Sequence, residues 1–137
     1  MKVKAGIIFN GLQTVLDFSE KSLPIKLAIK MLRLADDLDK ENNFISTQRQ
    51  KIIEKYGKKD ENGQLIIEEN GIIKFETNEK AQKAQEELNE LANLEIDIVD
   101  RQITEEELEN ANVEITMNQL MILKEFLHKE NNAGIIK

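Results

Sequence analysis

One apolar stripe constrains the fold of this chain more than any other feature. Its members recur at spacings of three, four or seven: Leu27, Met31, Leu34, Leu38, Ile45, Ile52 and Tyr56. This spacing predicts a single long helix. Ser22 is the expected N-cap, with Pro24 in the first turn and Gly57 ending the helix. At about 33 residues it would be roughly 50 Å long, and so long a helix predicts a homo-oligomer with the stripe as a partly shared seam.

A β-hairpin is the clearest local pattern in the sequence. Residues 64–69 and 72–76 are rich in isoleucine, and Asn70-Gly71 separates them. Asn-Gly between β-branched runs predicts a type I′ turn joining two antiparallel strands.

A second long helix is expected after the hairpin, capped by Thr77 or Asn78. Its apolar positions form a narrow seam suited to antiparallel packing on the first long helix: Ala81, Ala84, Leu88 and Leu91. The predicted fold class is therefore α+β, a single domain over residues 1–137, with two long antiparallel helices and a β-hairpin between them.

The remaining elements form a small mixed α/β end. Residues 2–9 and 95–103 alternate as strands do, and residues 12–21 have helical spacing. Thr104 and Thr116 each open a capping box before a short helix. The tail after His128 is expected to be loose, with docking of Ile135-Ile136 on a partner as the alternative.

Composition excludes several classes of protein. The chain has no cysteine and one histidine, which rules out disulfides and thiolate chemistry. No apolar run approaches the ~20 residues that a bilayer requires, and the N-terminus lacks a signal-peptide core. We expect a cytosolic protein that does not associate with membranes.

Charge is unevenly distributed along the chain. The net charge is −7, but residues 1–59 carry +5 and residues 60–137 carry −12. The acidic total, together with only 4% aromatic residues, argues against nucleic-acid binding.

Acidic clusters and the single histidine have structural explanations. The cluster at residues 36–39 fits a solvated helix face, and Glu105-Glu106-Glu107 fits a capping box with favourable dipole pairing. His128 is expected to cap the last helix. Since no phosphate loop or nucleophile motif is present, we predict no catalytic residues, no metal, no cofactor and no enzymatic turnover.

Binding of an anion needs only a few cations and an aromatic ring. The candidates on the predicted helices and strands are Arg33, Arg49 and Arg101, with Phe44 or Tyr56. A guanidinium binds phosphate or carboxylate through two parallel hydrogen bonds, which Lys does less well.

Three stretches resemble an uncharacterised family of small proteins from tailed phages and prophages of Gram-positive bacteria. They are Leu23-Pro24-Ile25-Lys26, the string from Ile53 to Gly63, and Ile115-Thr116-Met117-Asn118-Gln119-Leu120-Met121. The resemblance implies a phage origin and a domain of unknown function, and it carries no active site.

By analogy with small acidic phage proteins, the expected role is non-enzymatic inhibition of a host antiphage defence system. The partner would be a host defence protein that is blocked or a small anionic signal molecule that is sequestered, in the host cytoplasm. The alternative is a structural or assembly accessory of the virion. A third interpretation is a weak hydrolase that uses convergent carboxylates.

Overall fold

A computed structural model describes residues 1–129 of the chain, and within that range it is mostly helical. Five α-helices and one two-stranded sheet make up this part of the protein. In chain order they are β1 (Lys2–Lys4), α1 (Ala5–Ser19), α2 (Ile25–Tyr56), α3 (Asn78–Asn93), β2 (Glu95–Asp97), α4 (Glu105–Asn110) and α5 (Met117–Lys124).

The predicted α+β arrangement, with two long antiparallel helices and a β-hairpin between them, is wrong. Only α2 is long, at 32 residues, whereas α3 has 16. The sheet is instead built at the N-terminus, where β1 pairs antiparallel with β2 and Val3 lies opposite Ile96. The fold is a helical body with one minimal sheet.

The predicted strand over residues 2–9 ends after three residues because helical spacing takes over. Ala5, Ile8, Leu12 and Val15 are all buried along one face of α1. Burying this 3.6-residue period in the core outweighs the alternating pattern at the N-terminus. The predicted strand over residues 95–103 is likewise reduced to β2.

The prediction of one long helix over residues 25–56 is confirmed. α2 is continuous through Asn42 and Asn43, two residues at which a helix could bend. Pro24 occupies the N-cap position without a side-chain hydrogen bond, so the predicted Ser22 cap does not form. Gly57 is the C-cap, with φ −67°.

Residues 57–77, which we name the connecting segment, contain single β-bridges in place of regular strands. The bridges are Gly57–Phe75, Lys59–Leu65 and Ile67–Ile73. Three N–H···O bonds run in a cycle: Lys58 donates to Lys74, Lys74 to Ile66, and Ile66 to Lys58, at 2.8, 3.0 and 2.9 Å. Three stretches thus each pair with the other two, which prevents an extended two-stranded ladder.

The turn at Asn70-Gly71 is not type I′. Gly71 has φ +81°, but the non-glycine residues with positive φ among residues 1–129 are only Gln102 and Asn112. The amide of Gly71 donates to the carbonyl of Glu68, and that of Glu68 to Ile72. A three-residue loop with Gly71 in the left-handed region accounts for this pattern.

The hydrophobic core lies between α1 and α2 and is closed by residues from the C-terminal third. Its largest fully buried side chains are Phe18, Phe126, Ile8, Leu27, Met31, Leu34, Leu38, Ile103, Leu123 and Val15. α3 contributes only Ala84 to the fully buried set.

Five of the residues proposed as an intermolecular seam are therefore buried inside one copy of the chain, whereas Ile52 and Tyr56 are half-buried. Leu27, Met31, Leu34, Leu38 and Ile45 are at most 3% exposed. The chain's own α1 and C-terminal residues cover them, so the placement of a shared seam on these residues is wrong. A homo-oligomer would have to use another surface.

Both predicted capping boxes are present. Thr104 accepts from the amide of Glu107, and Thr116 from that of Gln119, with the reciprocal bonds also formed. No helix within residues 1–129 is both long and apolar enough to cross a membrane. Ile135 and Ile136 lie outside the residues that the structure describes.

Candidate functional site

A groove between α1, α2 and α3, which we name the Arg49 groove, contains one of the three predicted arginines. Its volume is about 260 Å³, and its walls combine apolar side chains with several amides. Gly6 and Ala92 set how closely α1 approaches α3, since a Cβ at Gly6 would lie 3.2 Å from both the Cβ and the carbonyl oxygen of Ala92.

Arg49 lies over the ring of Phe9, with its guanidinium carbon 5.1 Å from the ring centroid. This cation–π contact fixes the guanidinium over an aromatic face and leaves N–H donors available at its edge. Within residues 1–129, no carboxylate forms an ion pair with Arg49. The arrangement suits an anionic oxygen pair brought by another molecule.

Three amide side chains share the Arg49 groove: Asn10, Gln85 and Asn89. Gln85 donates through Nε2 to Oδ1 of Asn89 at 2.9 Å, which orients one amide against the other. Amides supply both donors and acceptors, so the groove can distinguish polar groups adjacent to an anion.

Arg101, the second predicted arginine, is already engaged. Its Nε and Nη2 donate to the two carboxylate oxygens of Asp37 at 2.7 and 2.8 Å. This bidentate bond raises the pKa of Arg101. The pair joins α2 to the loop after β2, which explains Asp37 as a structural acid and removes Arg101 from the candidate binding residues.

The other predicted residues lie away from the Arg49 groove. Arg33 is exposed on α2, 16 residues before Arg49 and so about 24 Å along the axis. Phe44 is 47% exposed and does not line the groove.

Tyr56 belongs to a contact between the end of α2 and α3. The ammonium of Lys55 lies 5.0 Å from its ring centroid and 3.4 Å from Oε1 of Glu87. Tyr56 and then Glu87 raise the pKa of Lys55, and Tyr56 followed by Lys55 lowers the pKa of Glu87. The three arginines and two aromatic residues are separate candidates for an anion site, and the structure does not bring them together.

His128 is not the predicted helix cap, because α5 ends at Lys124. Its Nδ1 lies 2.6 Å from Oδ2 of Asp100, and its amide donates to the carbonyl of Ile103 at 2.7 Å. Asp100 also accepts from the amide of Gln102, whose φ is +57°. Burial raises the pKa of Asp100, but the hydrogen bonds with His128 and Gln102 outweigh it and lower that pKa overall.

A wide cavity of about 480 Å³ adjoins this histidine and is also lined by Thr104. The Thr104 hydroxyl is engaged with Glu107 in the capping box. The His128–Asp100 pair has a structural explanation, since it ties the residues that follow α5 to the loop before α4. Among residues 1–129, no group of three or more metal-ligating side chains is arranged to hold a metal ion.

Phe9 is the residue that sequence reasoning missed. The alternating pattern of residues 2–9 predicts a strand that includes Phe9, and this gives no reason to expect Phe9 beside a helix residue such as Arg49. The spacing of Ala5, Ile8 and Leu12 could have indicated that α1 begins at Ala5. In a helix that begins there, Phe9 lies next to the buried face.

The chain matches no protein-family model, and neither the curated proteins nor the solved structures include a significant match.

Proposed function

We propose that this chain acts by stoichiometric binding, without turnover, and that the Arg49 groove receives an anionic group of its partner. The observation that supports the proposal is the guanidinium of Arg49 held over Phe9, 5.1 Å from the ring centroid. Two parallel N–H···O bonds from one guanidinium to a phosphate or carboxylate are short and directional. The neighbouring amides add polar contacts around that anion.

The size of the groove limits what it accepts. At about 260 Å³ it is slightly smaller than the ~300 Å³ lower bound typical of small-molecule sites. It suits one phosphate- or carboxylate-bearing group, either the acidic side chain of a protein or the charged end of a small signal molecule.

The resemblance to phage proteins suggests that the partner is a host molecule. We propose an accessory protein that inhibits an antiphage defence system in the host cytoplasm by blocking a protein or sequestering a signal molecule. Binding of the partner, without turnover, is sufficient for that role.

The experiment is a phage-protection assay with Arg49→Gln and Arg49→Lys. Gln removes both the positive charge and the paired N–H donors of the guanidinium, whereas Lys retains only the charge. We therefore expect Arg49→Gln to abolish inhibition of the defence system and Arg49→Lys to retain part of it. Lys51→Gln is the matched control, because Lys51 is exposed on the same helix outside the groove. Full activity of Arg49→Gln, with circular dichroism unchanged, would refute the assignment of this groove.

Pull-down from infected-cell lysate with native mass spectrometry separates the two kinds of partner. A signal molecule adds a small mass to the purified chain and absorbs in the ultraviolet, where the chain itself has one Tyr and no Trp. A defence protein adds its own mass at a fixed ratio. Recovery of the chain in purified virions, or multiple turnovers of a substrate, would contradict the proposal.

A further inference from the structure

Two exposed surfaces of this chain have complementary charge. The first, which we name the α2 ridge, comprises Ile25, Ile29 and Leu32 with the cations Lys26 and Arg33. The three aliphatic side chains are 76, 43 and 56% exposed. Their spacing of four and three residues places them on one face of α2, away from the buried stripe.

The cations of the α2 ridge are available to another molecule. Lys26 and Arg33 are exposed, and within residues 1–129 neither forms an ion pair. Lys30, between them in sequence, differs because its ammonium bonds to Glu107 at 2.7 Å and to the carbonyl of Gln102 at 2.9 Å. The ridge is thus an apolar strip with a basic edge.

The second surface is a groove of about 280 Å³ between α1, α4 and α5, which we name the acidic groove. Its apolar lining includes Leu108, Val113, Ile115 and Leu120. Each of these four side chains is only partly buried. The apolar surface of the groove is therefore incompletely covered by the chain itself.

Two methionines extend the apolar surface of the acidic groove along α5. Met117 and Met121 are 72 and 62% exposed. Together with Leu120 and Lys124 they follow a spacing of three, four and seven residues from Met117, which puts all four on one face of the helix. Methionine is flexible and adapts its shape to a partner, so exposed pairs of this kind are typical of binding surfaces.

Acidic side chains surround this groove. Glu105 and Glu109 line it, and Glu114 lies in the loop between α4 and α5. Glu105 is 3.6 Å from Lys124, whereas Glu109 and Glu114 form no ion pair within residues 1–129. The acidic groove thus pairs apolar area with uncompensated negative charge.

We propose that the α2 ridge of one copy docks in the acidic groove of a second copy. Ile25, Ile29 and Leu32 would fill the apolar lining, while Arg33 and Lys26 would meet Glu109 and Glu114. Copies with a net charge of −7 repel each other overall, and a local basic-to-acidic contact offsets part of that repulsion. The contact joins two different patches, so it is heterologous and repeats once per copy.

The proposed contact is small. A standard stable interface buries about 1,600 Å², more than a three-residue ridge supplies alone. We therefore expect weak association that rises with protein concentration.

Light scattering on the full chain across a wide concentration range tests the proposal. The expected mass is a multiple of 15.8 kDa that grows with concentration. Arg33→Glu and Glu109→Lys should each weaken association at least tenfold. The double variant Arg33→Glu/Glu109→Lys should restore it, because the ion pair is re-formed with reversed sign.

Charge and apolar controls lie on surfaces outside the proposed contact. Lys51→Glu and Glu69→Lys make the same charge changes and should leave the mass unchanged. Leu32→Ser and Met121→Ser should weaken association, whereas Ile67→Ser, which removes another exposed aliphatic side chain, should not. Circular dichroism on each variant verifies folding.

Three outcomes would overturn the proposal: a wild-type chain that stays monomeric throughout, a double variant that is no better than the singles, or controls that dissociate like the ridge variants. A monomeric chain whose acidic groove binds a synthetic Lys/Leu peptide would instead assign the groove to a basic segment of another protein. None of these outcomes depends on Arg49, so the test is separate from that of the proposed function.

Discussion

α2 and the connecting segment both contain patterned aliphatic residues, but only α2 buries them. Leu38 is fully buried in α2, whereas Ile67 and Ile72 of the connecting segment are 61 and 59% exposed. No residue of the connecting segment belongs to the buried core. A helix satisfies its own backbone and needs one covered face, whereas a strand needs a neighbour and a covering layer as well.

The largest test of this contrast is a pair of matched truncations. Leu38→Ala leaves a cavity in the core between α1 and α2, and we expect a loss of about 2–5 kcal/mol in the free energy of unfolding. Ile67→Ala removes a side chain that is mostly in solvent, so the expected loss is within about 0.5 kcal/mol. Urea denaturation measures both, and similar losses would contradict the division of the molecule into a packed body and an exposed connection.

The contrast also explains which predictions from the sequence succeeded. The long helix depends on residues within seven positions of each other and the two capping boxes on residues three positions apart, so local spacing was sufficient. The connecting segment depends on how three stretches pair, and that choice is set by tertiary geometry. The Asn-Gly signature located the turn but not its type, because Asn70 does not take the left-handed conformation that type I′ requires.

The candidate site divides in the same way. Arg49 was predictable as a residue type, since a guanidinium on a helix is a reasonable anion ligand. Its aromatic partner was not, because Phe9 is 40 positions away and was assigned to the wrong element. Arg101 was equally predictable as a residue type, but its ion pair with Asp37, 64 positions away, was not. That ion pair removes Arg101 from the candidate site.

The next test concerns Gly57, where the connecting segment joins α2. A Cβ added at Gly57 would lie 2.5 Å from Cδ2 of Leu65 and 2.8 Å from the carbonyl oxygen of Ile53. The carbonyl belongs to α2 and cannot move without disturbing the helix, so we expect Gly57→Ala to cost about 1–3 kcal/mol. Gly63→Ala is the control for a glycine with open space around it, although its positive φ still carries some strain. A Gly57→Ala chain that unfolds at the wild-type urea concentration would show that the connecting segment is not anchored to α2 at this residue.

A smaller effect is expected at the far turn of the connecting segment. Gly71 has φ +81°, and a Cβ added there would meet no other atom within 4 Å, so only backbone strain opposes a side chain. We expect Gly71→Val to cost about 1–2 kcal/mol, and Gly71→Asn to cost less, because Asn tolerates the left-handed region. Thermal melting compares the two variants. Equal melting temperatures for Gly71→Val, Gly71→Asn and wild type would mean that strain in this turn does not affect the stability of the helical body.

The smallest expected effect is on how stability changes with pH. It compares two aspartates with similar backbone contacts, one in the helical body and one in the connecting segment. Asp100 in the body accepts the amide of Gln102 and also contacts His128, while Asp60 in the connecting segment accepts the amides of Asn62 and Gln64. Asp60 lies on an exposed loop. An Asn at position 60 can accept the same two amide bonds through its Oδ1, so Asp60→Asn should leave the free energy of unfolding nearly unchanged at neutral pH.

Asp100→Asn should differ because it removes a charged contact. Burial raises the folded-state pKa of Asp100, but the hydrogen bonds with His128 and Gln102 outweigh burial and bring that pKa below the ordinary value of 3.8. A lowered carboxyl pKa contributes stability that is fully present above 3.8 and is lost as the pH falls through the folded-state pKa. We therefore expect Asp100→Asn to be less stable than wild type by up to about 1 kcal/mol near neutral pH, with the difference shrinking in acid. Urea midpoints of both variants, measured from neutral pH down to below 3.8, test this. A gap between Asp100→Asn and wild type that stays constant or widens in acid would show that the Asp100 contact with His128 does not stabilise the charged carboxylate.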